Sequence, residues 1–245
     1  MSRVPADALE DGESAPTVLY LRSFRDDFDP GRARSVTRVL PLASALQTKE
    51  ERFAMMIRHI GSFIAIGRPD EHYPPTGALR KYLKTQRWTD KVAAEMQSAH
   101  LIVLRVGTSS QGFWSEVSMT GKTVRPERLL YWFPEASSET YEAFRHKAHG
   151  YLPCKLPETT RGVFFLYFDE YWCPRLVTTL SWWSCWWLLY PLFSVNELIA
   201  ISKSKPLFDQ NKLPDPTQAF VGGELLTTIL GISAGVIAHV GIFYY

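Results

Sequence analysis

Apolar positions along this chain fall into short continuous runs separated by stretches of helical period. Thr17–Leu21 (TVLYL), Ser62–Ile66 (SFIAI), Leu101–Leu104 (LIVL), Leu129–Phe133 (LLYWF) and Val163–Phe168 (VFFLYF) are rich in β-formers and bounded by polar or turn residues. Each predicts a strand. Between them the period changes. Thr48 precedes a first helix with Glu51 at the capping-box position, and Phe53, Met56, Ile57 and Ile60 form its apolar stripe. Thr89 or Asp90 caps a second helix, with Val92, Ala93, Met96 and Ala99 inward. A third begins near Phe113, and a polar fourth spans roughly Ser138–His146. The stretch through His72, Tyr73, Pro74, Pro75 and Gly77 reads as irregular. Strands alternating with helices predict parallel βαβ units, and so an α/β domain over residues 17–170 with a doubly wound parallel five-stranded sheet.

The pattern changes after Arg175. Leu176 to Asn196 and Leu225 to Tyr245 carry no charged residue. Each has about the 20 residues needed to cross a bilayer. Tyr171, Trp172 and Arg175 before the first stretch, and Tyr244 and Tyr245 at the end of the second, are interface-seeking residues. The expectation is a transmembrane hairpin: spans at 176–196 and 225–245, joined by a loop at 197–224. Gly231 and Gly235 offer a small-residue face for helix contact, and with it a possible homo-oligomer. The lead-in, residues 1–16, lacks an apolar signal-peptide core and reads as disordered. The expected address is therefore a multi-pass cell-membrane protein, with the lipid bilayer as partner and the soluble domain and both termini cytoplasmic.

Charge and cysteines narrow the chemistry. A formal net charge of +2 argues against a nucleic-acid partner. Cys154, Cys173 and Cys185 fit no zinc or redox spacing, and the six histidines are scattered. No metal and no required cofactor is implied. GxGxxG, P-loop and HExxH motifs are absent.

In an open α/β sheet, ligands bind beyond the carboxyl ends of the strands. The segments expected there are Ser23–Asp27, Gly67–Asp70 and Gly107–Gly112. They nominate Ser23, Phe24, Arg25, Gly67, Arg68, Gly107 and Ser109 as binding residues. Gly112-Phe113-Trp114-Ser115-Glu116 then places a carboxylate on the first turn of the next helix. A dipole-favoured glutamate is the plain explanation, and a catalytic carboxylate the sharper one.

Several stretches carry a resemblance. They are Val18-Leu-Tyr-Leu-Arg-Ser-Phe-Arg-Asp-Asp, Phe63-Ile-Ala-Ile-Gly-Arg-Pro, Pro74-Pro-Thr-Gly-Ala, Trp88, Leu101-Ile-Val-Leu-Arg-Val-Gly and Gly112-Phe-Trp-Ser-Glu-Val. From about Thr17 to Phe133 the chain resembles bacterial membrane-associated proteins whose soluble part is similar to Toll/interleukin-1-receptor (TIR) domains and nucleoside deoxyribosyltransferases. The resemblance implies a TIR/flavodoxin-like fold. It implies Glu116 as the carboxylate acting on the ribose of NAD or a related nucleotide, either as substrate or as ligand. Arg25 and Arg68 would hold phosphates, and Trp114 or Phe24 would stack on a base. The implied activity is N-glycosidic bond cleavage in bacterial stress or antiphage signalling. The alternative is a non-catalytic protein-interaction or nucleotide-sensing module.

Overall fold

The computed structural model describes residues 15–23, 49–67, 79–82, 88–107, 110–178 and 200–217. The elements in chain order are β1 (Thr17–Leu21), α1 (Lys49–Ile57), β2 (Ser62–Gly67), β3 (Leu79–Tyr82), α2 (Trp88–Ser98), β4 (Leu101–Arg105), α3 (Gln111–Thr123), β5 (Leu129–Trp132), α4 (Ser138–Ala148), β6 (Val163–Phe168), β7 (Pro174–Thr178) and α5 (Lys205–Gln210). A 3-10 turn at Pro126–Arg128 leads into β5.

One sheet of seven strands runs in the order β3-β2-β1-β4-β5-β6-β7. The pairings from β3 across to β5 are parallel, while β5–β6 and β6–β7 are antiparallel. The expected five-stranded, wholly parallel sheet is thus corrected to a mixed sheet of the same α/β class. Three features of the sequence account for the difference. β3 reads LRKY, with Leu79 47% exposed, so this edge strand has no apolar run to betray it. β7 begins at Pro174, which an edge strand tolerates because one side of its ladder needs no partner. β6 is buried along its whole length, and a continuous apolar run is the same read in either direction.

Both faces of the sheet are covered. On one face Leu19, Leu21, Ile102, Leu104, Leu129 and Tyr131 meet Val92 and Met96 of α2, Phe113 and Val117 of α3, and Tyr141 and Phe144 of α4. On the other, Val18, Tyr20, Leu101, Val103, Leu130 and Trp132 meet Phe53, Ala54 and Ile57 of α1. Phe53 stacks on Trp132 with ring centroids 4.3 Å apart. The same face also receives Ala200, Ile201, Leu207, Phe208 and Leu213. Polar contacts fix this last segment. Gln210 Nε2 donates to the carbonyls of Glu127 at 3.0 Å and Phe168 at 3.1 Å, and Asn211 Nδ2 donates to Glu127 O.

That docking overturns the transmembrane hairpin. Among the described residues no helix is long and apolar enough to cross a membrane. The first expected span begins inside β7, where Leu176 and Val177 pair with β6 and Val177 is buried. The expected inter-span loop supplies core side chains to the sheet that precedes the first span. A single crossing between Thr178 and Ala200 would put two parts of one hydrophobic core on opposite sides of a bilayer. The multi-pass, cell-membrane assignment, with its cytoplasmic domain and termini, is therefore withdrawn. The rest of the first proposed span, the whole of the second with Gly231 and Gly235, and residues 1–14 of the lead-in lie outside the described residues.

Two substitutions test this packing. Gly121, inside α3, faces the loop after α4: a Cβ there would lie 2.5 Å from the carbonyl oxygen of Tyr151. Alanine gains about 1 kcal/mol of helix propensity. Overpacking against backbone costs about 1–3 kcal/mol. Gly121→Ala should therefore lower the unfolding free energy in urea, against the propensity trend. Phe208 is 1% exposed. Phe208→Ala should cost about 3–5 kcal/mol if residues 200–213 belong to the same cooperative core, read as a lower urea midpoint of the whole domain.

Candidate functional site

The strand order makes β1 a point of divergence. The chain builds β2 and β3 on one side of it and β4 and β5 on the other. A crevice opens at the carboxyl ends of two such adjacent strands because their connections leave to opposite faces. Leu21 and Leu104 are register partners near the ends of β1 and β4. Arg22 and Ser23 follow β1, while Val106 and Gly107 follow β4.

A cavity of about 160 Å³ lies there. Ser23, Thr89, Ser110 and Ser115 line it beside Val92, Phe113 and Met119, and Glu116 is the ionisable side chain there, since the guanidinium of the lining residue Arg22 pairs with Glu50 of α1. α3 positions the carboxyl. Ser110 caps this helix, its Oγ accepting from the Phe113 N–H at 3.1 Å. Helical spacing then puts Ser115 and Met119 beside Glu116 on the cavity side, and α2 supplies Thr89 and Val92 opposite.

Because α3 starts at Gln111, Glu116 stands in its second turn, and no acidic residue occupies the first. The helix dipole acts mainly within the first turn, so it does not account for this carboxylate. Glu116 Oε2 is buried and has no hydrogen-bond partner among the described residues. Burial alone pushes the carboxyl up to about 8. A buried, unsatisfied acid is costly to keep, and groups of this kind concentrate at functional sites.

On the opposite face of the sheet lies a second polar cluster. Arg22 Nη1 meets Glu50 Oε2 at 2.8 Å in a buried ion pair. Tyr20 donates to the same oxygen at 3.3 Å, and Arg105 Nη1 approaches it at 3.9 Å. Arg105 also lies 6.0 Å over the Trp132 ring. Glu50, on the first turn of α1, thus fixes the strand end that carries Arg22 and Ser23.

Of the residues nominated from sequence, Ser23 and Glu116 share this cavity. Gly67 ends β2, opposite Tyr82 of β3. Gly107 and Trp114 line a different hollow, on the far side of Phe113. Trp114 is 6% exposed and already packs on Phe144 at 5.7 Å and Tyr151 at 5.3 Å, with Lys147 Nζ 4.9 Å from its ring centroid. Phe24, Arg25, Arg68 and Ser109 lie outside the described residues. Ser110 falls within the expected segment Gly107–Gly112, whereas Arg22, Thr89, Ser115 and Met119 are lining residues that the sequence did not nominate. From sequence, Thr89 reads only as a helix cap. The one usable signal was helical spacing from Glu116, which reaches Ser115 and Met119. Among the described residues no cluster of His, Cys, Asp or Glu could hold a metal ion.

The buried carboxyl makes stability depend on pH. Its folded-state value lies above its unfolded one, so the folded chain holds a proton that the unfolded chain releases. The stabilising effect is complete below about pH 4.5 and is lost as pH rises to about 8. Glu116→Gln removes that dependence. The variant should gain on the wild type between those pH values, by on the order of 4 kcal/mol at pH 8, in urea unfolding followed across pH. Set beside known proteins, the chain matches no family model, no curated protein and no solved structure.

Proposed function

We propose that this domain binds a nucleotide with its ribose in the cavity and cleaves the N-glycosidic bond, with Glu116 as the catalytic carboxylate. The observation that carries the reading is the buried carboxyl with no partner, set where the strand order opens a crevice. The lining suits a sugar. Hydroxyls of Ser23, Thr89, Ser110 and Ser115 match a polyol, and Val92, Phe113 and Met119 offer an apolar wall to a ring face. At about 160 Å³ the cavity is smaller than the ~300–1,000 Å³ of pockets that enclose a whole drug-sized ligand. It fits one sugar-sized part of a nucleotide, with the remainder over the open crevice.

The chemistry follows from the charge. When the C1′–N bond of a pyridinium or purine nucleotide breaks, its electron pair leaves with the base and positive charge develops on the sugar. An ionised Glu116 stabilises that oxocarbenium-like centre in a site of low dielectric, or adds to it. Water then supplies the hydroxyl at C1′ and gives up a proton. A carboxylate with high proton affinity is suited to receive it. A cationic substrate ring beside Glu116 favours the ionised form, so binding and ionisation reinforce each other.

The test is incubation of the full chain with NAD, scoring release of nicotinamide. kcat/KM should rise with pH, reach half its maximum near pH 8 and level off above that, because it reports the free enzyme and requires the carboxylate. Glu116→Gln should lower it at least about 100-fold. A ligand that binds and is recovered intact, with affinity unchanged in Glu116→Gln, would instead assign the domain to nucleotide sensing.

A further inference from the structure

The hollow on the far side of Phe113 has its own chemistry. Its volume is about 340 Å³, and it lies between the end of β4 and the start of α4. Phe113, Trp114 and Phe144 give it aromatic walls, and Glu139 and Thr140 stand on the first turn of α4. Glu139 is at the exposed side, with one carboxylate oxygen accepting from Ser137 Oγ at 3.0 Å. Trp114 lines this hollow and not the Glu116 cavity. The indole is 6% exposed, and its Nε1–H is buried with no acceptor among the described residues.

An indole N–H is a donor only, and a buried donor without a partner is costly. An acceptor brought by a ligand would satisfy it. Aromatic walls favour a flat ring, since edge-to-face and offset contacts are the preferred geometries. The carboxylate of Glu139 and the hydroxyl of Thr140 accept N–H donors at the polar end. We propose that this hollow is a binding site for a small planar heteroaromatic molecule. One edge of the ligand presents an acceptor to Trp114 Nε1–H, and an amino or amide N–H faces Glu139. Nicotinamide and the nucleobases have that chemistry. The site is separate from the Glu116 cavity, and the proposal stands whether or not Glu116 cleaves a nucleotide.

The experiment follows the Trp114 indole ¹H–¹⁵N resonance of the full chain, assigned by its loss in Trp114→Phe. Nicotinamide and adenine are titrated separately, with cyclohexanecarboxamide as a non-planar control. At least one planar probe should move the resonance downfield, as a new hydrogen bond requires, and the control should not. By calorimetry, Trp114→Phe, which keeps a ring but removes the donor, should weaken binding about three- to tenfold. Ala143→Trp, on an exposed helix position that lines the hollow, should abolish binding with the thermal midpoint retained. Glu116→Gln should leave binding unchanged. The proposal is overturned by an unmoved indole resonance up to the solubility limit of both planar probes, by equal response to the non-planar control, or by undiminished affinity in Trp114→Phe. Binding that survives Ala143→Trp but is lost in Glu116→Gln would place the ligand in the first cavity and also overturn it.

Discussion

A sheet that is apolar on both faces must be covered on both, and the arrangement of this domain follows from meeting that need with right-handed connections. From β1 to β2 the chain moves toward one edge, and α1 falls on one face. From β3 back to β4, and on to β5, it moves the other way, so α2 and α3 fall on the opposite face. The handedness of βαβ crossovers leaves little choice in this. One consequence is a gap in cover. Beyond β4, on the α1 face, no crossover helix among the described residues covers Leu130, Trp132, Phe165, Tyr167 and Val177. Residues 200–213 fill that gap with Ala200, Ile201, Leu207, Phe208 and Leu213. The segment that reads as a linker is thus part of the core.

The same divergence of connections creates the crevice. α1 and α3 leave from opposite sides of neighbouring strand ends, and the space between is lined by what each element places there. Glu116 comes from α3, Ser23 from the end of β1 and Thr89 from α2. The buried Arg22–Glu50 pair fastens the β1 end from the other face. Buried ion pairs add little net stability, because desolvation offsets attraction, but removing one partner is costly. Here the pair holds a backbone position that lines the cavity. Glu116 differs: it sits without a partner in the same region, and its raised proton affinity reflects that isolation.

Phe113 divides the space at the carboxyl end of the sheet into two compartments of unlike character. The Glu116 side is rich in hydroxyls, while the Trp114 side is walled by rings and carries an indole donor. Consecutive residues of α3 serve both because successive positions on a helix point about 100° apart. The indole and the carboxyl, two positions apart in sequence, therefore address different hollows. Proximity along the chain made them look like parts of one site, and helix geometry separates them.

The sequence by itself determined the local elements. Apolar runs marked β1, β2, β4, β5 and β6, and caps and helical stripes marked α1 to α4, because these depend on neighbouring residues alone. It also singled out Glu116, through residue type and position after a glycine turn. Only the tertiary structure decided the direction of β6, the edge strands β3 and β7, and the place of residues 200–217. Strand direction and edge pairing are set by partners distant in the chain, and an edge strand such as LRKY needs no apolar signature. The uncharged stretch after Arg175 read as one membrane span because hydropathy does not distinguish lipid from protein interior. Its first residues, Leu176 to Thr178, belong to β7, and residues 200–213, beyond its end, pack on the far face of the sheet.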